Sequence, residues 1–118
     1  MMGILSTIKK TIGIAQEDDS FDEDLIIYIN ATLLILSQLG LKEADKTPVI
    51  NSETTWSEFL GDRTDLEVVK TYIHFKVKSM FDPPTSSALI EANKNIIAEL
   101  EWRINNLEVN KGVTTNAE

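Results

Sequence analysis

Apolar residues recur every three or four positions along most of this chain, the spacing of one face of an α-helix. Ile4, Leu5, Ile8 and Ile12 mark a first short segment that Gly13 ends. A second runs from about Asp22 to Leu39 and is apolar nearly all round: Leu25, Ile26, Ile29, Leu33 and Leu36 are joined by Tyr28, Ile35 and Leu39 before Gly40 closes it. A helix apolar on every side belongs at the centre of something larger than a three-helix sandwich, or between subunits. Residues 41–54 form the longest irregular stretch, in which Pro48-Val49-Ile50 reads as a short extended piece, half of a small hairpin. "TWSEFL" then predicts a helix of one or two turns, ended by Gly61. From Thr64 to Phe81, Leu66, Val69, Ile73, Val77 and Met80 draw one stripe. Asp82-Pro83-Pro84 must stop that helix, because proline lacks an N–H and pushes the residue before it out of the α region. The last helix is expected from about Ser86 to Val109, followed by "NKGVTTNAE" as a frayed polar tail.

The pattern therefore predicts an all-α fold, a small antiparallel bundle of four to five helices with room for a short β-hairpin in the 41–57 region. The expected organisation is one helical domain over residues 1–109 and a flexible C-terminal tail over 110–118. Helix starts are marked by capping boxes, Ser or Thr followed three residues later by Glu or Gln. They occur as Ser20…Glu23, Thr55…Glu58 and Thr64…Glu67. Asp22, Glu23 and Asp24 add negative charge where the helix dipole favours it.

One residue does not fit the core of its own helix. On a wheel at about 100° per residue, Leu89, Ile96, Ile104 and Leu107 fall within about 40° of Leu100 and form the expected core stripe. Asn93 falls inside it, as a buried amide in need of a partner. Trp102 falls about 200° away, so it fills a different space. Two readings stay open. It packs under the N-terminal segment or the 41–54 loop, or it anchors a contact with another subunit, where aromatics and Arg are enriched. Arg103, beside it, reads as an ion-pair partner rather than a catalytic group.

Composition narrows the function more than the fold. The chain has 118 residues, 42% of them apolar, which suits a single domain with one modest core. It has no cysteine, which removes disulfides, thiolate nucleophiles and thiolate metal sites. Its net charge is −8, so it is a poor candidate for gripping phosphate backbones, while the same charge suits a wall that DNA must slide past. The basic residues are scattered, with Lys9–Lys10 and Lys76–Lys78 as the closest pairs, and no helix has the basic face of a DNA-binding regulator. The run from Leu25 is about 15 residues, carries Asn30, and falls short of the ~20 needed to span a bilayer; no signal peptide is visible. His74 is the only histidine and has no motif around it. The acidic cluster "EDDSFDED" fails as a calcium loop: counting from Asp18, the Gly and Glu positions hold Glu23 and Ile29. With no phosphate loop, triad or zinc spacing, the expectation is a protein without catalysis, metal or cofactor.

Three stretches carry a resemblance: Val69-Lys70-Thr71-Tyr72, Phe81-Asp82-Pro83-Pro84-Thr85-Ser86 and Glu99-Leu100-Glu101-Trp102-Arg103, preceded by "TWSEFLGD". Together they are similar to the head–tail connector (adaptor) proteins of tailed bacteriophages and related prophages of Gram-positive bacteria. The likeness covers roughly residues 4–108, the N-terminal half in pattern only. It implies a virion protein at the head–tail interface, made in the host cytoplasm. Such a protein forms a ring, commonly a dodecamer, beneath the portal protein. The ring extends the DNA channel, DNA passes without specific binding, and the next head-completion or tail protein docks on it. The isolated chain is compatible with a monomer, and no membrane is involved. On this reading Trp102, Arg103, Phe81, Asp82, Pro83, Pro84 and Trp56 are the candidates for subunit or portal contacts, and the 41–54 loop faces the lumen or a neighbour. The competing class is a helical adaptor or regulator in the host cytoplasm that binds a single protein partner.

Overall fold

The computed structural model describes residues 3–41, 44, 51, 53–61 and 67–117, with side chains described as far as Leu107. Among these residues there are five helices: α1 (Ile4–Ile12), α2 (Asp22–Gln38), α3 (Trp56–Leu60), α4 (Glu67–Phe81) and α5 (Ser87–Ala117). The only β-type pairing among them is a single antiparallel bridge between Gly3 and Thr55. The fold is all-α, a small helical bundle. The hairpin strand expected at Pro48-Val49-Ile50 lies outside the described residues, as do Thr64 and Leu66 and most of the 41–54 loop.

The helix ends follow from local chemistry. Gly13 takes the left-handed conformation at φ 96°, and its N–H and that of Ile14 both reach the Lys9 carbonyl, closing α1. At the end of α2, Leu41 N–H bonds to Leu36 O at 3.0 Å and Gly40 N–H to Ser37 O at 3.1 Å, a Schellman closure. Its accompanying apolar contact is made by Leu36 and Leu41, both buried. The Thr55–Glu58 capping box forms in full: Thr55 N–H donates to Glu58 Oε1 at 2.8 Å, and Glu58 N–H donates to Thr55 Oγ1 at 3.2 Å.

The Ser20–Glu23 box does not form. Phe21 precedes the first turn of α2, and no side chain caps it. Ser20 is engaged elsewhere: its N–H and its hydroxyl both donate to Asp18 Oδ1, at 3.0 and 2.7 Å. The Asp18 carboxylate, two residues away, thus takes the Ser20 N–H that the Glu23 carboxylate would accept in the box, and the helix starts one residue later. The turn between α1 and α2 is held from below instead. Lys9 is buried, and its ammonium lies 2.9 Å from Asp22 Oδ1 and donates to Gln16 O at 2.9 Å. That ion pair is what satisfies the buried Asp22 oxygen.

The core is one cluster. Ile4, Leu5 and Ile8 of α1, Leu25, Ile29, Leu33 and Leu36 of α2, Phe59 and Leu60 of α3, and Val69, Tyr72, Ile73 and Val77 of α4 meet in it. From α5, Ile104 is fully buried there, with Ile97, Leu100 and Leu107 partly buried against it. Helix α4 is central, since it packs on α2, on α5 and on α1. Helix α5 continues to Ala117, past the Val109 end that the apolar stripe predicts and through the boundary drawn at residue 110. No proline follows Pro84, so nothing in the backbone forces a stop.

Candidate assembly surface

Helices α4 and α5 form a hairpin through Asp82–Ser86. Asp82 N–H bonds back to Lys78 O at 2.8 Å, and the two prolines then prevent the helix from continuing. Ser86 starts α5, its hydroxyl accepting from Leu89 N–H at 3.1 Å. Two side-chain hydrogen bonds clasp the pair. Tyr72, fully buried, donates its hydroxyl to Glu101 Oε2 at 2.8 Å, and Asn93 Nδ2 donates to Ser79 Oγ at 2.5 Å. Burial, then the adjoining Glu101 carboxylate, push the Tyr72 phenol far above its ordinary pKa, so it stays a donor throughout the working pH range. Asn93 thus has the partner that its place in the stripe requires.

The expected stripe on α5 is only half buried. Ile104, Leu100 and Leu107 reach the core, but Leu89 is 61% exposed, and Ile90 and Ile96 are exposed as well. Here α4 and α5 leave a groove of about 630 Å³ between them. Phe75, Leu89, Ala92 and Ile96 give it apolar walls, His74 and Lys78 line it from α4, and Asp82, Pro83, Pro84 and Thr85 close the turn end. Periodicity assigned Leu89 and Ile96 to the core because it records which residues share a face. It does not record whether another helix reaches that face. His74 Nδ1 pairs with Thr11 Oγ1 at 3.0 Å, and burial, then the neighbouring Lys78 charge, hold its pKa below the ordinary value.

The other sequence-selected residues lie in different environments. Trp102 is 66% exposed, which goes against seating it beneath the N-terminal segment; the 41–54 loop, its other expected seat, lies mostly outside the described residues. Arg103 is exposed and forms an ion pair with Glu99, Nη2 to Oε2 at 2.7 Å and Nε to Oε2 at 3.0 Å, as expected of an i, i+4 pair. Phe81 is half-buried and meets Phe21 edge to face, with centroids 5.2 Å apart. Asp82 and Pro83 are exposed at the groove. Trp56 is different: it is 7% exposed, and its indole N–H donates to Thr7 Oγ1 at 2.9 Å. Lys70 Nζ lies 5.5 Å from its ring centroid. Trp56 joins α3 to α1 inside the protomer and does not stand on its surface.

Reading the sequence alone left out a second apolar surface, on α2. Ile27 is 58% and Leu34 62% exposed, with exposed Ala31 between them, on the side opposite Leu25, Ile29 and Leu33. The signal was present in the all-round apolar pattern of that helix, which assigned it no particular outward residues. Among the described residues no group of three His, Asp or Glu side chains could hold a metal ion, and no helix is long and apolar enough to cross a membrane.

Comparison with known proteins bears on this surface. No match is found among the curated proteins, and none among the solved structures. The family model of the phage connector proteins matches residues 4–111, nearly the whole chain, including the groove and the outer face of α2 described above. A small helical protomer with large apolar side chains left outside its own core is what a connecting component requires, and the chain belongs to the phage connector protein family.

Proposed function

We propose that this connector protein is the subunit of a ring beneath the portal protein, at the junction of head and tail. The ring extends the DNA channel and presents a platform for a head-completion or tail protein. The observation that carries this reading is the surface left over after folding. Ile27, Leu34, Leu89, Ile90, Ile96 and Trp102 are all exposed on one small protomer, together with its membership of the connector family. Scattered single apolar residues are ordinary. Here four of the six are grouped, Ile27 and Leu34 in a ridge on α2 and Leu89 and Ile96 along the α4–α5 groove.

The work is positional and involves no turnover. A ring requires unlike patches on each subunit, so that every copy contacts the next by the same rotation. The net charge of −8 suits a lumen through which DNA moves without being held. A ring of twelve-fold type is the expected form. The Asp82-Pro83-Pro84 turn is a rigid corner suited to portal or neighbour contact, and the polar 108–118 tail takes its final order on assembly.

The test is to mix the chain with the portal protein of its own phage and examine the product by negative-stain imaging and light scattering. Rings on the portal are expected. Trp102→Ala should abolish or weaken the ring while leaving helix content by circular dichroism unchanged, because most of the indole stands in solvent. A discrete dimer or monomer with no affinity for portal would instead support a single-partner adaptor.

A further inference from the structure

Two apolar surfaces point away from the core, and their shapes are opposite. On α2, Ile27, Ala31 and Leu34 stand about one turn apart on the outer side and form a convex ridge. Between α4 and α5 lies a concave groove of about 630 Å³, with Phe75, Leu89, Ala92 and Ile96 as its apolar walls. Helix α4 stands between α2 and α5 and packs on both. Its groove side, at His74, Phe75 and Lys78, faces away from the stripe of Val69, Ile73 and Val77 that enters the core. One molecule therefore cannot bring its own ridge to its own groove.

The charges are also complementary. The ridge begins in the first turn of α2 at Glu23 and Asp24, both exposed. The groove carries Lys78, exposed and without an ion pair among the described residues, next to His74. Its one acid, Asp82, sits at the hairpin turn. An incoming acidic end is attracted at Lys78, an attraction that Asp82, about one turn further on, offsets in part.

We infer that the outer face of α2 in one copy docks in the α4–α5 groove of the next copy, ridge into groove, with Glu23 and Asp24 toward Lys78. This assigns the subunit contact of the assembly proposed above and rests on that reading. An amphipathic helix laid in an apolar groove, with anchors at i, i+4 and i+7, is a recurrent mode of recognition. Because ridge and groove are different surfaces, each added copy presents a fresh ridge or groove, and growth ends only when the circle closes.

The full chain has no cysteine, so introduced thiols are unambiguous. Leu34→Cys and Ile96→Cys are prepared separately, mixed and oxidised. The expected product is a disulfide-linked dimer in the mixture and little in either variant alone; the doubly substituted chain gives a ladder. Ile27→Asp with Leu34→Asp, and separately Ile96→Asp, should each lower self-association by about tenfold or more. Together these two variants should form dimers and nothing larger, since one intact interface remains. Lys78→Glu should weaken assembly, and Glu23→Lys with Asp24→Lys should restore it. Disulfides between two Leu34→Cys copies, or assembly undisturbed by the aspartates, overturn this pairing and leave the ring reading standing. A chain that stays single at every concentration and on its portal overturns both.

Discussion

The two ends of the α4–α5 hairpin are built from similar residues and meet different fates. Near Tyr72 and Glu101 the helices are closed: the phenol is buried, and Ile104 joins the cluster made with α1, α2 and α3. Beside the Ser79–Asn93 bond they leave a groove, and Leu89 and Ile96 stand in solvent along it with Phe75. Apolar content does not separate the two ends, since isoleucine and leucine occur at both. The facing residues do. At the closed end α4 offers Tyr72 and Val69; at the open end it offers Lys78 and His74, whose charge and polar atoms resist burial. One end of the hairpin stabilises the protomer, and the other is where the assembly proposed above would seat a neighbour.

This contrast can be broken by substitution, with stability measured by denaturant titration at concentrations where the chain is single. The largest effect is expected at the closed end, where Ile104→Ala removes a fully buried side chain and should cost about 2–5 kcal/mol. If it costs no more than a surface change, the two ends are not different. Tyr72→Phe takes the donor from Glu101 while keeping the ring, for a loss of about 1–2 kcal/mol. Asn93→Ala, at the boundary of closed and open regions, should cost about 0.5–1.5 kcal/mol through its bond to Ser79. At the open end, Ile96→Ser should change protomer stability by only about 0.5 kcal/mol or less, and its effect should appear in assembly instead.

The smallest effect is a pH dependence from His74. Burial and Lys78 hold its folded-state pKa below the ordinary value, so the unfolded chain takes up the proton first as the medium is acidified. Stability is therefore fully present above about pH 6.5 and declines as pH falls toward the depressed value. His74→Gln should flatten that part of the profile, as read from unfolding midpoints across the range; an unchanged slope would show that His74 is not the group responsible.

Much of the fold was legible in the linear pattern. The bounds of α1, the full Thr55–Glu58 capping box and the glycine closure of α2 all depend on residues within a few positions of one another. Short-range sterics and hydrogen bonds decide such features before any packing occurs. The same local rule failed at Ser20, because the Asp18 and Glu23 carboxylates compete for the Ser20 N–H and sequence spacing does not weigh the two acceptors. Local spacing also says nothing of Trp56, whose N–H is accepted by Thr7, far along the chain.

What the sequence by itself determined was therefore which segments are helical, where most of them stop, and that Trp102 lies off the face of its own helix. Tertiary structure alone decided which apolar faces are covered. The wheel gives Leu89 and Ile104 the same standing, yet one is in solvent and the other fully buried. The reason is physical: periodicity is a property of one helix, whereas burial requires a second surface at the right distance, and only the path of α4 past α5 supplies or withholds it.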